Sequence, residues 1–156
     1  MPKIVLIHPE IPPNTGNIAR TCAATGVELH LVKPLGFELS DRYLKRAGLD
    51  YWPHVLLSVH ESLADFYAHV QGSGGRLIGF TTRGEADYVE LMYRSDDWLL
   101  FGCETQGLPA AVLDRCDRTA RIPIQTGAVR SLNLSVSVAV GLFEVLRQLR
   151  SDSLME

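Results

Sequence analysis

The sequence predicts an α/β fold, a mostly parallel sheet flanked by helices, in a single domain over residues 1–156. Three observations predict it. Short, near-continuous apolar runs such as Ile4-Val5-Leu6-Ile7 and Trp98-Leu99-Leu100-Phe101 recur along the chain, as in strands covered on both faces. Helix-like segments alternate with them, which calls for crossover connections and parallel pairing. Finally, three polar, glycine-bearing segments each directly follow a strand-like run. They are Asn14-Thr15-Gly16-Asn17-Ile18-Ala19-Arg20, Phe101 to Pro109, and Ile122-Pro123-Ile124 running into Ser131-Leu132-Asn133-Leu134-Ser135. Loops leaving the carboxyl ends of strands carry the ligand site in such folds, so three of them imply one composite pocket.

Strands are expected over residues 3–8, 28–33, 76–81, 98–102 and 120–124, with a weaker one near 55–59. Asn14 or Thr15 caps a first helix to about Thr25, and Gly26 suits its C-terminal stop. Ser40 opens a helix to Ala47, closed by Gly48. Ser58 or His60 opens another to about Val70, ended by Gln71-Gly72-Ser73-Gly74-Gly75. A short helix is expected over residues 109–115 and a long one over 131–150, followed by a frayed tail from Ser151. The long helix bears two apolar stripes. One is Leu132, Val136, Val140, Phe143 and Leu146; the other is Leu134, Val138, Leu142, Val145 and Leu149. So wide an apolar surface is either buried within one chain or shared with a second subunit, and we favour the second. Arg147 and Arg150 lie where the helix dipole attracts cations.

Composition narrows the function. Hydrophobic residues make up 46% and charged residues 21%, an ordinary soluble balance. No apolar run approaches a membrane span, and the opening residues read as a strand, so a cytoplasmic protein is expected. A net charge of −3 argues against nonspecific nucleic-acid binding, although Arg42, Lys45 and Arg46 fall at helical spacing and could form a local basic face. Cys22, Cys103 and Cys116 form no C-x-x-C pair, so neither a disulfide framework nor a zinc site is expected. Cys103 reads as a small filler in its loop, and the five scattered histidines read as structural or exposed. The dinucleotide glycine fingerprint, the P-loop, the zinc H-E-x-x-H helix and the serine-hydrolase elbow are all missing from the sequence.

In the first polar segment Pro12 and Pro13 stiffen the entry, and Asn17 and Arg20 share one helix face. In the second, Gly102 and Gly107 bracket Cys103-Glu104-Thr105-Gln106 and permit positive φ or a close approach of ligand. In the third, Ile122-Pro123-Ile124 can present backbone groups to a flat base, with Ser131 and Asn133 at a helix N-terminus. Each segment alone is an ordinary turn or cap.

Together, N-x-G-N-I-x-R, F-G-x-E-x-x-G-L-P and I-P-I…S-L-N-L-S resemble, in order and position, the three signature motifs of the SPOUT RNA methyltransferases. The Pro9-to-Asn17 stretch, Arg46-Ala47-Gly48-Leu49-Asp50-Tyr51 and the absence of an RNA-binding extension resemble the smallest members, which 2′-O-methylate the wobble nucleotide of tRNA. The resemblance implies a C-terminal trefoil knot, a homodimer, S-adenosylmethionine as cofactor with S-adenosylhomocysteine as product, and no metal. The implied substrate is a wobble cytidine or uridine in the tRNA anticodon loop, with leucine tRNAs foremost; another RNA position or a non-catalytic binding module are the alternatives. Phe80, Thr81, Gly102, Glu104, Gly107, Ile122, Ile124, Ser131 and Leu132 are then the cofactor-binding residues. Asn14 and Arg20 are the catalytic pair, facing the RNA and the 2′-hydroxyl across the dimer interface, while Asn133 and Ser135 support the knot loop. Gln106 and the stretch Gln125 to Arg130 depart from the family pattern.

Overall fold

The structure, a computed structural model, describes residues 1–40 and 50–154. In chain order the elements are β1 (Lys3–Ile7), α1 (Pro12–Thr25), β2 (Glu28–Val32), a 3-10 turn (Trp52–His54), β3 (Leu57–His60), α2 (Leu63–Ser73), β4 (Leu77–Phe80), β5 (Ala86–Asp87), β6 (Trp98–Phe101), α3 (Ala110–Arg115), β7 (Arg118–Arg121) and α4 (Leu134–Ser153). Among the described residues seven strands form one sheet, in the order β3-β2-β1-β6-β4-β7-β5. Every pairing in it is parallel.

The alternation of side chains along each strand builds two cores. Ile4 and Leu6 point to one face with Leu29, Leu31, Leu99 and Phe101, where they meet Ile18 and Cys22 of α1 and Val138, Leu142 and Val145 of α4. Val5 and Ile7 point to the other with Trp98 and Leu100, against Phe66 of α2 and Val112 of α3. Burial leaves the Cys22 and Cys116 thiols protonated, each with its pKa pushed up to about 12.

The expected elements shift where side chains compete for the same backbone groups. Asn14 is no N-cap: α1 begins at Pro12, with Pro12 and Pro13 in its first two positions, where a missing N–H leaves nothing unpaired. Gly26, at φ 70°, ends that helix as expected. Neither Ser58 nor His60 opens α2, because both lie in β3; Ser62 does so, accepting a hydrogen bond from Asp65 N at 3.1 Å. The strand expected over residues 120–124 runs instead over Arg118–Arg121, since Pro123 has no N–H to extend the ladder. The last helix starts at Leu134, capped by Asn133, and continues through Ser153. Its expected frayed tail is therefore helical there, with the Ser151 and Ser153 hydroxyls donating to the carbonyls four residues back. Strand β5 went unforeseen, being two residues long. The helix expected over residues 40–47, beyond Ser40, lies outside the described residues with Arg42, Lys45, Arg46 and Gly48.

Of the two stripes on the last helix, the one containing Leu134, Val138, Leu142 and Val145 is core. The other leaves Val136 46% and Phe143 54% exposed, beside Leu132 at 37%.

A histidine pair sits between β2 and β3. His30 and His60, 1% and 8% exposed, share a hydrogen bond of 2.9 Å between Nδ1 and Nε2. Glu28 meets the other nitrogen of His30 at 3.0 Å, His69 and Trp98 pack on the rings, and Lys3 lies over Trp98. Burial, aided by the neighbouring histidines and opposed by Glu28 and Asp65, lowers both pKa values below the ordinary 6.5. The folded state thus binds protons less readily than the unfolded chain. The stability held by the neutral pair is complete above the unfolded value of 6.5 and is lost as pH falls below it. Thermal unfolding from about pH 8 to about pH 5 is expected to show a plateau and then a falling Tm, with a shallower fall in His60→Gln. Identical slopes in the two proteins contradict this.

Candidate active site

The three polar segments leave the carboxyl ends of β1, β6 and β7, the side of a parallel sheet where ligands bind. Side-chain hydrogen bonds tie them together. Pro12 and Pro13 carry no amide hydrogens, so the donors at the start of α1 are Glu10 N and Ile11 N. Both donate to the Glu104 carboxylate of the second segment, at 2.8 and 3.1 Å. Asn14 Nδ2 adds a third, at 3.4 Å. The carboxylate thereby occupies the positive end of the α1 dipole. Asn14 Oδ1 accepts from Asn133 Nδ2 of the third segment at 3.1 Å. Asn133 Oδ1 in turn accepts from Ser135 N and Oγ, at 2.9 and 2.6 Å. Thr105 Oγ1 closes the first two segments by donating to Glu10 Oε1 at 2.7 Å. Together with the Cys103 thiol it holds the Glu10 carboxyl below the usual carboxylate range.

Two glycines give the second segment its shape for different reasons. Gly107 has φ 69°, in the left-handed region, and its N–H donates to Cys103 O at 3.0 Å. Gly102 is needed for closeness: a Cβ there would lie 1.9 Å from Gly107 C and 2.1 Å from Leu108 N.

These segments enclose a cleft of about 730 Å³, in the size range of small-molecule sites. Its floor is the stacked pair Phe80 and Phe101, ring centres 4.6 Å apart. All nine residues expected to hold the cofactor line it: Phe80, Thr81, Gly102, Glu104, Gly107, Ile122, Ile124, Ser131 and Leu132. Glu104 does so with its oxygens committed to α1. Asn14 also lines the cleft, 8% exposed, with both ends of its amide engaged. Arg20 does not line it; it is exposed further along α1, its guanidinium carbon 5.8 Å from the Tyr51 ring centre. Sequence reasoning missed Arg83 and Arg130, both exposed at the cleft wall. Arg130 belongs to the stretch that departs from the family pattern, so no motif marks it, and Arg83 follows β4 with no motif at all. A smaller cleft of about 340 Å³, lined by Arg121, Pro123 and Thr126 among others, adjoins it behind the 122–130 loop. Among the described residues no group of three or more His, Cys, Asp or Glu is placed to hold a metal ion.

The chemistry of this lining fits an adenosyl amino acid. Phe80, Leu108, Ile122, Ile124 and Leu132 offer apolar surface to a flat ring, while Thr81, Ser131 and Arg130 offer polar partners to a ribose and a charged amino-acid end. A parallel sheet bearing such a cleft at the carboxyl ends of its strands, closed by loops joined through Glu104 and Asn133, defines an α/β protein with a nucleoside-sized binding site. The chain matches the SpoU rRNA methylase family over residues 1–143 and belongs to that family. A Synechocystis sp. protein, named provisionally as a tRNA (cytidine(34)-2′-O)-methyltransferase, is 58% identical over 151 residues, covering 97% of this chain and 99% of its own. The tRNA (cytidine(34)-2′-O)-methyltransferase of Burkholderia pseudomallei is 46% identical over 147 residues, with 93% and 94% covered. A protein solved for structural insight into the 2-OH methylation of C/U34 on tRNA superimposes with a TM-score of 0.92 at 53% identity, covering 97% of both chains. The SpoU methyltransferase AviRb from Streptomyces viridochromogenes, in complex with AdoMet, gives a TM-score of 0.88 at 25% identity, over 97% of this chain and 61% of that one.

Proposed function

We propose that this protein transfers the methyl group of S-adenosylmethionine to the ribose 2′-hydroxyl of the wobble cytidine or uridine, position 34 in the relatives' names, of tRNA. The observation that carries the reading is the closure of all three polar segments on one cleft through Glu104, Asn14 and Asn133. When bound, S-adenosylmethionine supplies an electrophilic methyl group. The protein's own share is placement. The apolar wall holds the adenosyl group and keeps water from it; Ser131 and the backbone of Ile122 and Ile124 orient it. With the adenosyl group so held, the cleft would contribute mainly by proximity, bringing the methyl donor and the acceptor hydroxyl together. The Arg20 guanidinium has donors and no acceptor, so it faces the developing alkoxide or an adjacent phosphate as a forked donor, and the 2′-hydroxyl proton leaves to solvent.

Arg20 lies outside the cleft of its own chain, and Val136 and Phe143 lie uncovered on α4, which packs on α1. Both observations support a homodimer in which Arg20 of one subunit serves the cleft of the other. The same reading includes the trefoil knot in the C-terminal part of the chain and leucine tRNAs as the first substrates. A tRNA substrate goes with a cytoplasmic setting; among the described residues no helix is long and apolar enough to cross a membrane.

The test is methyl transfer from labelled S-adenosylmethionine to bulk tRNA lacking 2′-O-methylation, followed by nucleoside mapping and separation of isoacceptors. Label in a wobble 2′-O-methylpyrimidine, from protein eluting at twice 17.3 kDa, is the expected result. Label elsewhere in the tRNA discards the wobble site. S-adenosylhomocysteine is also expected to raise the Tm, and failure to do so removes the cofactor from the reading.

A further inference from the structure

We infer that Tyr51 is a positioning residue that holds the Arg20 guanidinium ready for the 2′-oxygen. The inference rests on the reading of Arg20 given above. The Tyr51 backbone carbonyl accepts from His54 N at 2.8 Å, joining it to the 3-10 turn. Its side chain crosses to α1, where the hydroxyl donates to Gly16 O at 2.9 Å. Gly16 precedes Arg20 by one helical turn, so the hydroxyl anchor and the arginine share one face of α1. That anchor sets the ring where the guanidinium lies over it, with Arg20 Cζ 5.8 Å from the ring centre, within the range of a cation–π contact.

Arg20 needs such a support. It is exposed, and among the described residues no carboxylate forms an ion pair with it. A long, mobile side chain must be ordered before its forked donors can aim at one oxygen, and order established beforehand is catalytically worth more than order acquired on binding. The ring supplies a flat surface that tolerates guanidinium, with no competing negative charge that would hold it away from the RNA. Burial also raises the pKa of the Tyr51 hydroxyl, against the pull of Arg20, which keeps it a donor to Gly16.

Three variants, Tyr51→Phe, Tyr51→Leu and Arg20→Ala, and the double variant Tyr51→Leu/Arg20→Ala are compared in methyl transfer to tRNA. Tyr51→Leu is expected to lower kcat about tenfold with KM for S-adenosylmethionine unchanged, and Tyr51→Phe, which keeps the ring, no more than about threefold. In the Arg20→Ala background Tyr51→Leu is expected to cost nothing further, because the group it positions is gone. A purely structural role costs the same in both backgrounds and overturns the proposal, as does a Tyr51→Leu variant with full kcat. In the wild-type protein the side-chain protons of Arg20 are expected upfield of those of Arg150, shifted by the ring; coincidence with them also overturns it, whether or not Tyr51→Leu folds. A wild-type protein inactive on tRNA fails the functional reading itself, an outcome separate from an active wild type indifferent to Tyr51.

Discussion

Replacing Arg20 with lysine is expected to lower kcat for tRNA methylation by about 100- to 1,000-fold, the usual cost of one preorganised donor at a developing oxyanion. Lysine keeps the positive charge and loses the planar fork. If Arg20 acted only through long-range charge, the exchange would be nearly silent. Because Arg20 is exposed and does not line its own cleft, the affinity for S-adenosylhomocysteine and the Tm are expected to stay as in the wild type. A kcat loss with intact cofactor binding places the residue at the acceptor side of the reaction. An Arg20→Lys enzyme of full activity rules out forked geometry as the reason for arginine here.

Gly102→Ala is expected to remove cofactor binding almost wholly, by about 100-fold or more in affinity. The added methyl would sit 1.9 Å from Gly107 C. Relief of that overlap moves the Gly102–Gly107 backbone, and the same backbone carries Glu104, whose oxygens anchor α1. Overpacking commonly costs about 1–3 kcal/mol of stability, so a lower Tm is expected as well, with the sheet still formed. Gly127→Ala is the control. It lies in the third segment, and a Cβ there meets nothing within 4 Å. Calorimetric titration with S-adenosylhomocysteine separates the two: wild-type affinity in Gly127→Ala and none measurable in Gly102→Ala is the expected pair. Equal affinities in the two variants contradict the close-approach account of Gly102.

What the sequence made legible follows from which interactions are local. The apolar runs around Leu6, Leu31 and Leu100 mark strands because both faces of a parallel sheet are buried, and no long-range information is needed to see them. Gly26 and the core stripe through Val138 and Leu142 are equally local. The caps were harder. Asn14 has the right chemistry for a cap, yet its amide is used across the fold by Glu104 and Asn133, 90 and 119 residues away. The carboxylate at the head of α1 comes from the second segment, which periodicity within α1 cannot reveal. Strand β5 owes its existence to pairing with β7, Ala86 level with Ala120, and two residues carry no pattern of their own. For the candidate site, the family resemblance carried by the three motifs brought the cleft-lining residues within reach, Phe80 and Thr81 among them although they lie in no motif. Arg83 and Arg130 escaped because their place at the cleft depends on where loops end in space. The uncovered face of α4 was legible as apolar, while its division into a core stripe and an open one depended on which way the helix turns toward the sheet.

The Glu104 carboxylate has a thermodynamic consequence. It is a rigid coupling between the start of α1 and the cleft loop, so the two cannot move independently without breaking its bonds to Glu10 N and Ile11 N. A molecule that seats itself against α1 and favours one arrangement of these bonds would change the cleft's affinity for its own ligand. Reciprocity of linked equilibria demands that the cleft's ligand alter the grip on α1's ligand by the same factor. Order of addition would then affect how fast the ternary assembly forms and leave its total free energy untouched.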